Sequence, residues 1–285
     1  MNRFKQTQIA SIFGVLGNLF LLIIKSIIGF MTNSQAMIAD SVNSASDIAS
    51  SLLTFVGNKI ASKPRDEDHH LGHGKAEYIY SLLISILIIG VALNLFKDAF
   101  LSFFSSPNFT FTGWYIVVCL VTILVKLGLY LYTNSIYKKY HNILVLANSK
   151  DHRNDMIITT FTLISGILMS FGIYIIDSFV GLGISLVILL SGIKIFKESY
   201  DVLMGKAMNK EMEKEVLEII AKYDEVKNIQ HFNATPVGYL YQVSFSIFVD
   251  GNLTTYESHE IANKLEKEIS KLDNIYLTII HVNPI

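Results

Sequence analysis

The sequence predicts a membrane bundle of six transmembrane α-helices followed by a C-terminal α+β domain. Of its 285 residues, 51% are hydrophobic and only 16% are charged, which is too apolar for an ordinary soluble domain. Mean hydropathy is +0.44. Six stretches approach or exceed the roughly 20 apolar residues that a spanning helix needs. After residue 205 these stretches give way to charged, amphipathic segments.

Turn-forming residues separate several of the predicted spans, at 32–34, 105–108 and 172–177. The spans are predicted near residues 8–31, 36–60, 77–103, 113–135, 145–172 and 177–200. Lys and Arg residues lie before the first span and around the second and fourth connections, whereas the first, third and fifth connections contain none. The positive-inside rule therefore predicts that both termini face the cytoplasm.

The chain divides into a predicted transmembrane domain, residues 1–205, and a smaller domain, residues 206–285. The elements predicted for the smaller domain are a helix at 209–223, strands at 228–232 and 240–250, a helix at 256–272 and a strand at 276–282. This order is typical of an α+β sheet with helices on one face. A domain of about 80 residues buries little surface, so we expect it to pack against a partner chain.

The composition argues against several classes of function. A formal net charge of −1 gives no indication of nucleic-acid binding. The single cysteine, Cys119, lies in an apolar run, which excludes a disulfide framework and favours simple packing. The sequence contains no Gly-x-x-x-x-Gly-Lys-Ser/Thr loop, so nucleotide binding and ATP hydrolysis are not expected.

Acidic residues inside two of the predicted spans carry the strongest functional signal. An acidic side chain within a spanning helix is costly, typically faces the bundle interior and marks an ion path. In span two Asn43 and Asp47 are four residues apart, and in span five Asp151 and Asp155 have the same spacing. Residues at this spacing share one face of a helix. Two such pairs predict a four-ligand cation site.

The ligand types indicate which cation this site prefers. One amide oxygen and three carboxylates are hard donors that suit Mg²⁺, Mn²⁺ or Ca²⁺, whereas imidazole-rich sites suit Zn²⁺. Asp40 lies on the same face as Asn43 and is either a further ligand or a partner for hydrogen bonds between helices. His152 precedes Asp155 by three residues and is a possible additional ligand.

Two lysines lie within apolar spans, Lys25 in the first and Lys126 in the fourth. A lysine in this setting needs an acidic partner, so we expect internal ion pairs with a structural role. Asn18, also in the first span, is expected to hydrogen-bond between helices.

The connection after span two is rich in histidine and acidic residues. His69 and His73 are four residues apart there, which predicts a second metal site or, alternatively, a solvated polar loop. Glycines flank His73 and indicate a tight bend of the backbone.

Taken together, these motifs resemble the cation diffusion facilitator family of divalent-metal transporters. The resemblance rests on Ala-Asp-Ser-x-Asn-x-x-x-Asp at 39–47, Asp-x-x-x-Asp at 151–155 and His-x-x-Gly-His-Gly-Lys-x-Glu at 69–77, and it covers essentially the whole chain. It implies a homodimer in the lipid of a bacterial-type cell membrane, which exports a divalent cation from the cytoplasm in exchange for protons. It also implies a transport site between spans two and five and a ferredoxin-like fold for the cytoplasmic, dimerising domain.

Departures from the family pattern concern the choice of metal. Zinc-type members generally carry histidine at the position of Asn43 or Asp151, so this chain resembles the manganese-type subgroup. In the connection after span two, Asp66, His69 and His73 match the secondary metal site of the family.

The resemblance also implies regulatory metal binding in the C-terminal domain. The residues at the matching positions are His231, His259 and His281. Phe245 and Asn283 stand where members often have His and Asp, so a complete binuclear site is not expected.

The predicted function is therefore efflux of Mn²⁺ by proton antiport, carried out by a secondary transporter and not by an enzyme. Efflux of Zn²⁺, Fe²⁺ or Co²⁺ by the same mechanism is an alternative, because oxygen ligands bias the choice of metal without deciding it. A second alternative is a membrane metal sensor, in which the histidine-rich connection and the C-terminal domain bind metal and no flux occurs.

Overall fold

The computed structural model describes residues 3–61, 63–104, 110, 112–140 and 143–285. Long helices account for most of the chain before the C-terminal domain. They are α1 (Arg3–Thr32), α2 (Gln35–Ala61), α3 (Ala76–Ser102), α4 (Gly113–Tyr140), α5 (Ile143–Ser170) and α6 (Ile175–Leu203). Each of these helices overlaps one predicted span.

Within the described residues, four helical segments are long and apolar enough to cross a membrane. They are Gly14–Thr32, Ala76–Ser102, Gly113–Ile136 and Ile175–Leu203. Helices α2 and α5 are not among these segments, and both carry the polar and acidic residues singled out above. Large apolar side chains elsewhere point outward, as expected of helices in lipid: Leu87 is 66% exposed and Leu124 is 65% exposed. A membrane helical domain is thus confirmed, and the number of six spans stays a prediction.

The chain divides into two compact units, residues 1–52 with 84–195 and residues 53–83 with 196–285. The first unit contains two buried apolar clusters. One joins α1, α2, α4 and α5 through Ile28, Met37, Tyr115, Val118, Cys119 and Met169. The other joins α2, α3 and α6 through Ala39, Ile88, Ala92, Ile184 and Ile188. Cys119 is fully buried in the first cluster, as its apolar surroundings predict.

Helices α4 and α5 approach closely where Tyr115 lies against Gly166. A Cβ atom on Gly166 would come within 2.1 Å of the Tyr115 ring, so only glycine fits at this position. The Tyr115 hydroxyl donates a hydrogen bond to the carbonyl oxygen of Thr162 at 3.0 Å. This contact sets the spacing between α4 and the helix that carries Asp151 and Asp155.

A buried carboxylate, Asp177, holds the start of α2 in place. It accepts hydrogen bonds from the backbone N–H groups of Gln35 and Ala36, at 2.5 and 3.3 Å. It also accepts hydrogen bonds from the hydroxyls of Ser34 and Ser165, at 2.7 and 3.0 Å. The first N–H groups of a helix have no partner within the helix, so Asp177 of α6 caps α2 from outside.

The second unit contains the C-terminal α+β domain. Its elements are α7 (Lys210–Ile220), β1 (Asn228–Val237), β2 (Leu240–Val249), α8 (Thr255–Ile269) and β3 (Ile275–Pro284). The order of elements agrees with the prediction, although β1 extends five residues beyond the predicted end at 232. Strand β2 is central, antiparallel to β1 and parallel to β3. The parallel pair requires a crossover, which α8 provides.

One apolar core holds the two helices against the sheet. Val216 and Ile220 from α7 and Leu265 and Ile269 from α8 pack with the buried residues of β2, including Ile247. Helix α8 begins with a capping box, in which the side chain of Thr254 accepts a hydrogen bond from the Glu257 backbone N–H and the Glu257 carboxylate accepts one from the Thr254 N–H. A membrane helical domain followed by a small domain of sheet and helices is the architecture observed.

We expect Asp177→Ala to lower the free energy of unfolding by about 3 kcal/mol or more, because it leaves several buried donors without an acceptor. Thermal unfolding of the purified protein in detergent, followed by intrinsic fluorescence, measures this as a lower Tm. Asp98→Ala is the matched control, since Asp98 is exposed in the neighbouring helix α3. Equal Tm values for the two variants would show that Asp177 does not anchor α2.

Candidate metal centre

Helices α2 and α5 bring the predicted transport-site residues to face one another. The Asn43 side-chain amide donates a hydrogen bond to Oδ1 of Asp155 at 3.0 Å. Asp47, one turn further along α2, interacts electrostatically with both Asp155 and Asp151. Asp155 is buried, Asp47 is half-buried and Asp151 is exposed. The carboxylates of α5 therefore lead from the buried Asp155 to the exposed Asp151, and Asn43 and Asp47 of α2 lie beside them.

A buried lysine also belongs to this cluster. The Lys126 ammonium of α4 forms an ion pair with Oδ2 of Asp155 and donates a hydrogen bond to Oδ1 of Asn18 at 2.6 Å. Lys126 is completely buried. Side chains of α2 and α4 thus meet at Asp155 of α5, and α1 joins them through Lys126. The prediction of an internal ion pair for Lys126 is confirmed.

A second ion pair lies closer to the start of α2. The Lys25 ammonium donates to Oδ1 of Asp40 at 2.9 Å and to the hydroxyl of Ser44 at 3.3 Å. The hydroxyl of Thr159 donates to the other oxygen of Asp40, also at 2.9 Å. Both carboxylate oxygens of Asp40 are engaged, by α1 and α5, so the hydrogen bonding between helices that was predicted for Asp40 is present. A ligand role for Asp40 stays a prediction.

His152 lies against α1. Its ring atoms are 3.8 Å from the position that a Cβ atom would occupy on Gly14. The side chain is buried, and its Nδ1 atom has no hydrogen-bond partner among the described residues. It interacts electrostatically with Asp155 and Lys126. His152 thus stays a possible ligand whose ring also packs between helices.

The connection between α2 and α3 gathers three candidate ligands. Ligand atoms of Asp66, His69 and His73 all lie within 4.8 Å of one another, and within the described part of the chain this is the only such group of three. His69 Nδ1 is 3.1 Å from Oδ1 of Asp66, and His73 Nε2 is 3.4 Å from Oδ2. Two imidazoles and a carboxylate are a donor set that suits Zn²⁺ and related cations.

The electrostatics of this loop also favour a bound cation. Desolvation is the largest single influence on the pKa of Asp66 and raises it. Hydrogen bonds from the backbone and ring of His69, together with the charge of both histidines, outweigh it and leave the pKa below its usual range. Asp66 is therefore ionised at neutral pH. The loop is held by its glycines: Gly72 has φ +76°, and a Cβ on Gly238, in the turn between β1 and β2, would lie 2.9 Å from Gly74.

The histidines of the C-terminal domain do not converge in the described structure. His231 lies in the irregular part of β1 with φ +53°, and His281 Nε2 is 3.1 Å from Oδ1 of Asn283 on the same strand. His259 lines a shallow cavity of about 320 Å³ together with Asp250 and Ser258. All three histidines are exposed. Metal binding at these positions stays a prediction.

Two sets of contacts were not predicted from the sequence. They are the hydrogen bond from Thr159 to Asp40 and the hydrogen bonds that Asp177 accepts at the start of α2. Thr159 follows Asp155 by four residues, so helical spacing would have placed it on the same face of α5. Asp177 gave no comparable signal, because its partners lie in other helices and are mostly backbone groups.

The fold and these clusters define an integral membrane protein with buried ion pairs and oxygen-rich candidate cation sites. Residues 11–204 match the model of the cation efflux transmembrane domain, and residues 208–285 match the cytoplasmic domain of cation efflux proteins. The chain therefore belongs to the cation efflux family, the cation diffusion facilitators that its motifs resemble.

Several relatives match along nearly the whole chain. The manganese efflux system protein MneS of Bacillus subtilis is 30% identical over 286 residues, covering 99% of this chain and 97% of that protein. The manganese efflux system protein MneP of the same organism is 27% identical, covering 96% of this chain and 95% of its own length. An uncharacterized transporter of Methanocaldococcus jannaschii is 29% identical, covering 95% of this chain and 96% of its own.

For the loop cluster, we expect Asp66→Ala to weaken binding of one Zn²⁺ at least about tenfold, because the charged donor between the two imidazoles is lost. Isothermal titration calorimetry of the full-length protein measures the change. Asp68→Ala, an exposed carboxylate of the same loop outside the three-ligand group, is the control. Equal Zn²⁺ affinity in both variants would mean that the loop is only a solvated polar segment.

Proposed function

We propose that this protein is an efflux transporter that moves Mn²⁺ out of the cytoplasm in exchange for protons. The observation that carries the proposal is the meeting of oxygen donors from α2 and α5, where Asn43 contacts Asp155 and Asp47 interacts with both acidic residues of α5. The transport site consists of Asn43, Asp47, Asp151 and Asp155. Family membership supports export as the direction of transport.

The choice of Mn²⁺ follows from ligand chemistry. One amide oxygen and three carboxylates suit a hard cation, and the proposed ligand set contains no imidazole. Two relatives similar over nearly the whole chain are named as manganese efflux proteins, which supports the same preference. Zn²⁺, Fe²⁺ and Co²⁺ are the alternative cargoes.

Proton exchange follows from the same ligands. Carboxylates bind a metal only when they are deprotonated, so metal and protons compete for Asp47, Asp151 and Asp155. Asn43 does not titrate and shapes the site. Rocking of the helices then exposes the site to one side of the membrane and then the other.

The wider architecture belongs to the same proposal. We infer six spans with both termini in the cytoplasm of a bacterial-type cell, a transmembrane domain at 1–205 and a ferredoxin-like domain at 206–285. The match to the cytoplasmic domain of cation efflux proteins supports a homodimer. Asp66, His69 and His73 form a secondary site, and His231, His259 and His281 supply regulatory contacts.

The competing function is that of a membrane metal sensor, which the three converging ligands of the loop favour. A sensor binds metal without moving it. Flux through the purified protein in liposomes therefore separates the two functions.

We expect proteoliposomes with a pH gradient to take up Mn²⁺, and Asp47→Asn and Asp151→Asn to lower the rate at least about tenfold, since each removes a charged ligand. Asp224→Asn makes the same chemical change at an exposed position before β1 and should leave the rate unaltered. Wild-type liposomes that bind Mn²⁺ without flux would favour the sensor, and full activity in both site variants would exclude this transport site.

The metal preference has its own test. We expect Asp151→His to raise the ratio of Zn²⁺ to Mn²⁺ flux by about tenfold, because an imidazole replaces a hard oxygen donor. The wild-type protein should move Mn²⁺ faster than Zn²⁺ under the same gradient. A wild-type preference for Zn²⁺ would contradict the manganese assignment while leaving efflux itself in place.

A further inference from the structure

The proposed transport site already contains a cationic side chain, that of Lys126. Its ammonium reaches Asp155 from α4, and both groups are almost or completely removed from solvent. The same ammonium is held by Asn18 from α1 at 2.6 Å. The ammonium of Lys126 therefore forms an ion pair with Asp155, a carboxylate that is also proposed to bind the transported metal ion.

Both oxygens of Asp155 are already engaged. Oδ1 accepts a hydrogen bond from Asn43 at 3.0 Å, and Oδ2 accepts from Lys126. The carboxylates of Asp47, Asp151 and Asp155 are also too far apart to form a cluster as tight as that of Asp66, His69 and His73. A metal ion shared by these carboxylates therefore requires Asp155 to turn away from the ammonium, because two cations repel strongly in an interior of low dielectric constant.

We propose that Lys126 is a tethered counter-cation that occupies the transport site when metal is absent and is displaced from Asp155 when metal binds. The inference rests on the proposed transport site. Asn18 is the second acceptor of the ammonium and keeps it hydrogen-bonded after displacement, so that it is not left unpaired inside the bundle.

The charge of the site gives this displacement a consequence. Three ionised carboxylates and one ammonium sum to a formal charge of −2, which a single divalent cation neutralises. Without Lys126 the same site would carry −3, and a bound divalent cation would leave one uncompensated charge within the membrane. Uncompensated charge inside the bilayer is costly, so Lys126 supports the helix movements of the metal-loaded site.

The other buried lysine offers an internal comparison. Lys25 forms an equally buried pair with Asp40 at 2.9 Å, and its remaining partners are the hydroxyls of Ser44 and Thr159. Loss of Lys25 thus removes a buried ammonium from the same bundle without freeing Asp155. Lys25→Met is therefore the matched control for Lys126→Met.

The test measures Mn²⁺ affinity of the full-length protein in detergent, from the electron paramagnetic resonance signal of free Mn²⁺. All variants carry Asp66→Ala, which removes the proposed loop site from the measurement. We expect Lys126→Met to lower the Kd for Mn²⁺ at least tenfold, because the competing cation is gone. A purely structural ion pair predicts the opposite sign, since its loss would loosen the site and raise the Kd.

Three further variants complete the experiment. Lys126→Gln keeps a donor for Asp155 and a similar size without the charge, so it provides a folded neutral variant and should also tighten binding. Lys126→Arg keeps the charge and should leave the Kd within threefold of the parent. Lys25→Met should lower the Tm but also leave the Kd within threefold.

In liposomes, Lys126→Met and Lys126→Gln should show a lower maximal flux despite tighter binding.

The outcomes separate the two proposals. An unchanged or higher Kd in Lys126→Gln overturns the displacement, as does equal tightening in the Lys25→Met control. If instead the parent binds no Mn²⁺, or binds it equally well after Asp47→Asn and Asp151→Asn, the transport site itself is wrong. Tighter binding in both neutral Lys126 variants alone supports the inference.

Discussion

Charge buried among membrane helices must have a partner, and this constraint organises the packing of α1, α2, α4, α5 and α6. Lys25 pairs with Asp40, Lys126 pairs with Asp155, and Asp177 gathers hydroxyl and backbone donors at the start of α2. Removing one member of such a group leaves the other unpaired in a medium where water cannot replace it. Each group therefore specifies which helices lie next to one another more sharply than apolar contacts do.

These polar groups follow one another along α2 and α5. Asp177 caps the first turn of α2, the pair of Lys25 and Asp40 comes next, and Asn43 and Asp155 follow. Neither of these two helices is among the described segments that are long and apolar enough to cross a membrane. Partners from the surrounding apolar helices offset the cost of these polar groups in lipid.

Much of the candidate site could be predicted from helical spacing. Asn43 and Asp47, and likewise Asp151 and Asp155, share a helix face because they are four residues apart, and the contact between Asn43 and Asp155 shows that the two faces meet. The loop ligands Asp66, His69 and His73 were predictable from their motif and do lie close together. In the C-terminal domain the order of helices and strands agreed with the pattern of apolar residues, whereas the end of β1 did not, because its last residues pair with β2 beyond the alternating segment.

The sequence by itself determined the class of protein, the order of elements and the residues whose charge is too costly to be incidental. Only the tertiary structure decided which partner each charge takes. Lys126 pairs with Asp155, whereas Lys25 pairs with Asp40. Asp177 hydrogen-bonds to the start of α2 although it lies more than a hundred residues further along the chain. The reason is that spacing along one helix defines its polar face, but the rotation and depth of neighbouring helices define which faces meet. Those quantities depend on packing, such as the close approach of Tyr115 to Gly166, which no local pattern encodes.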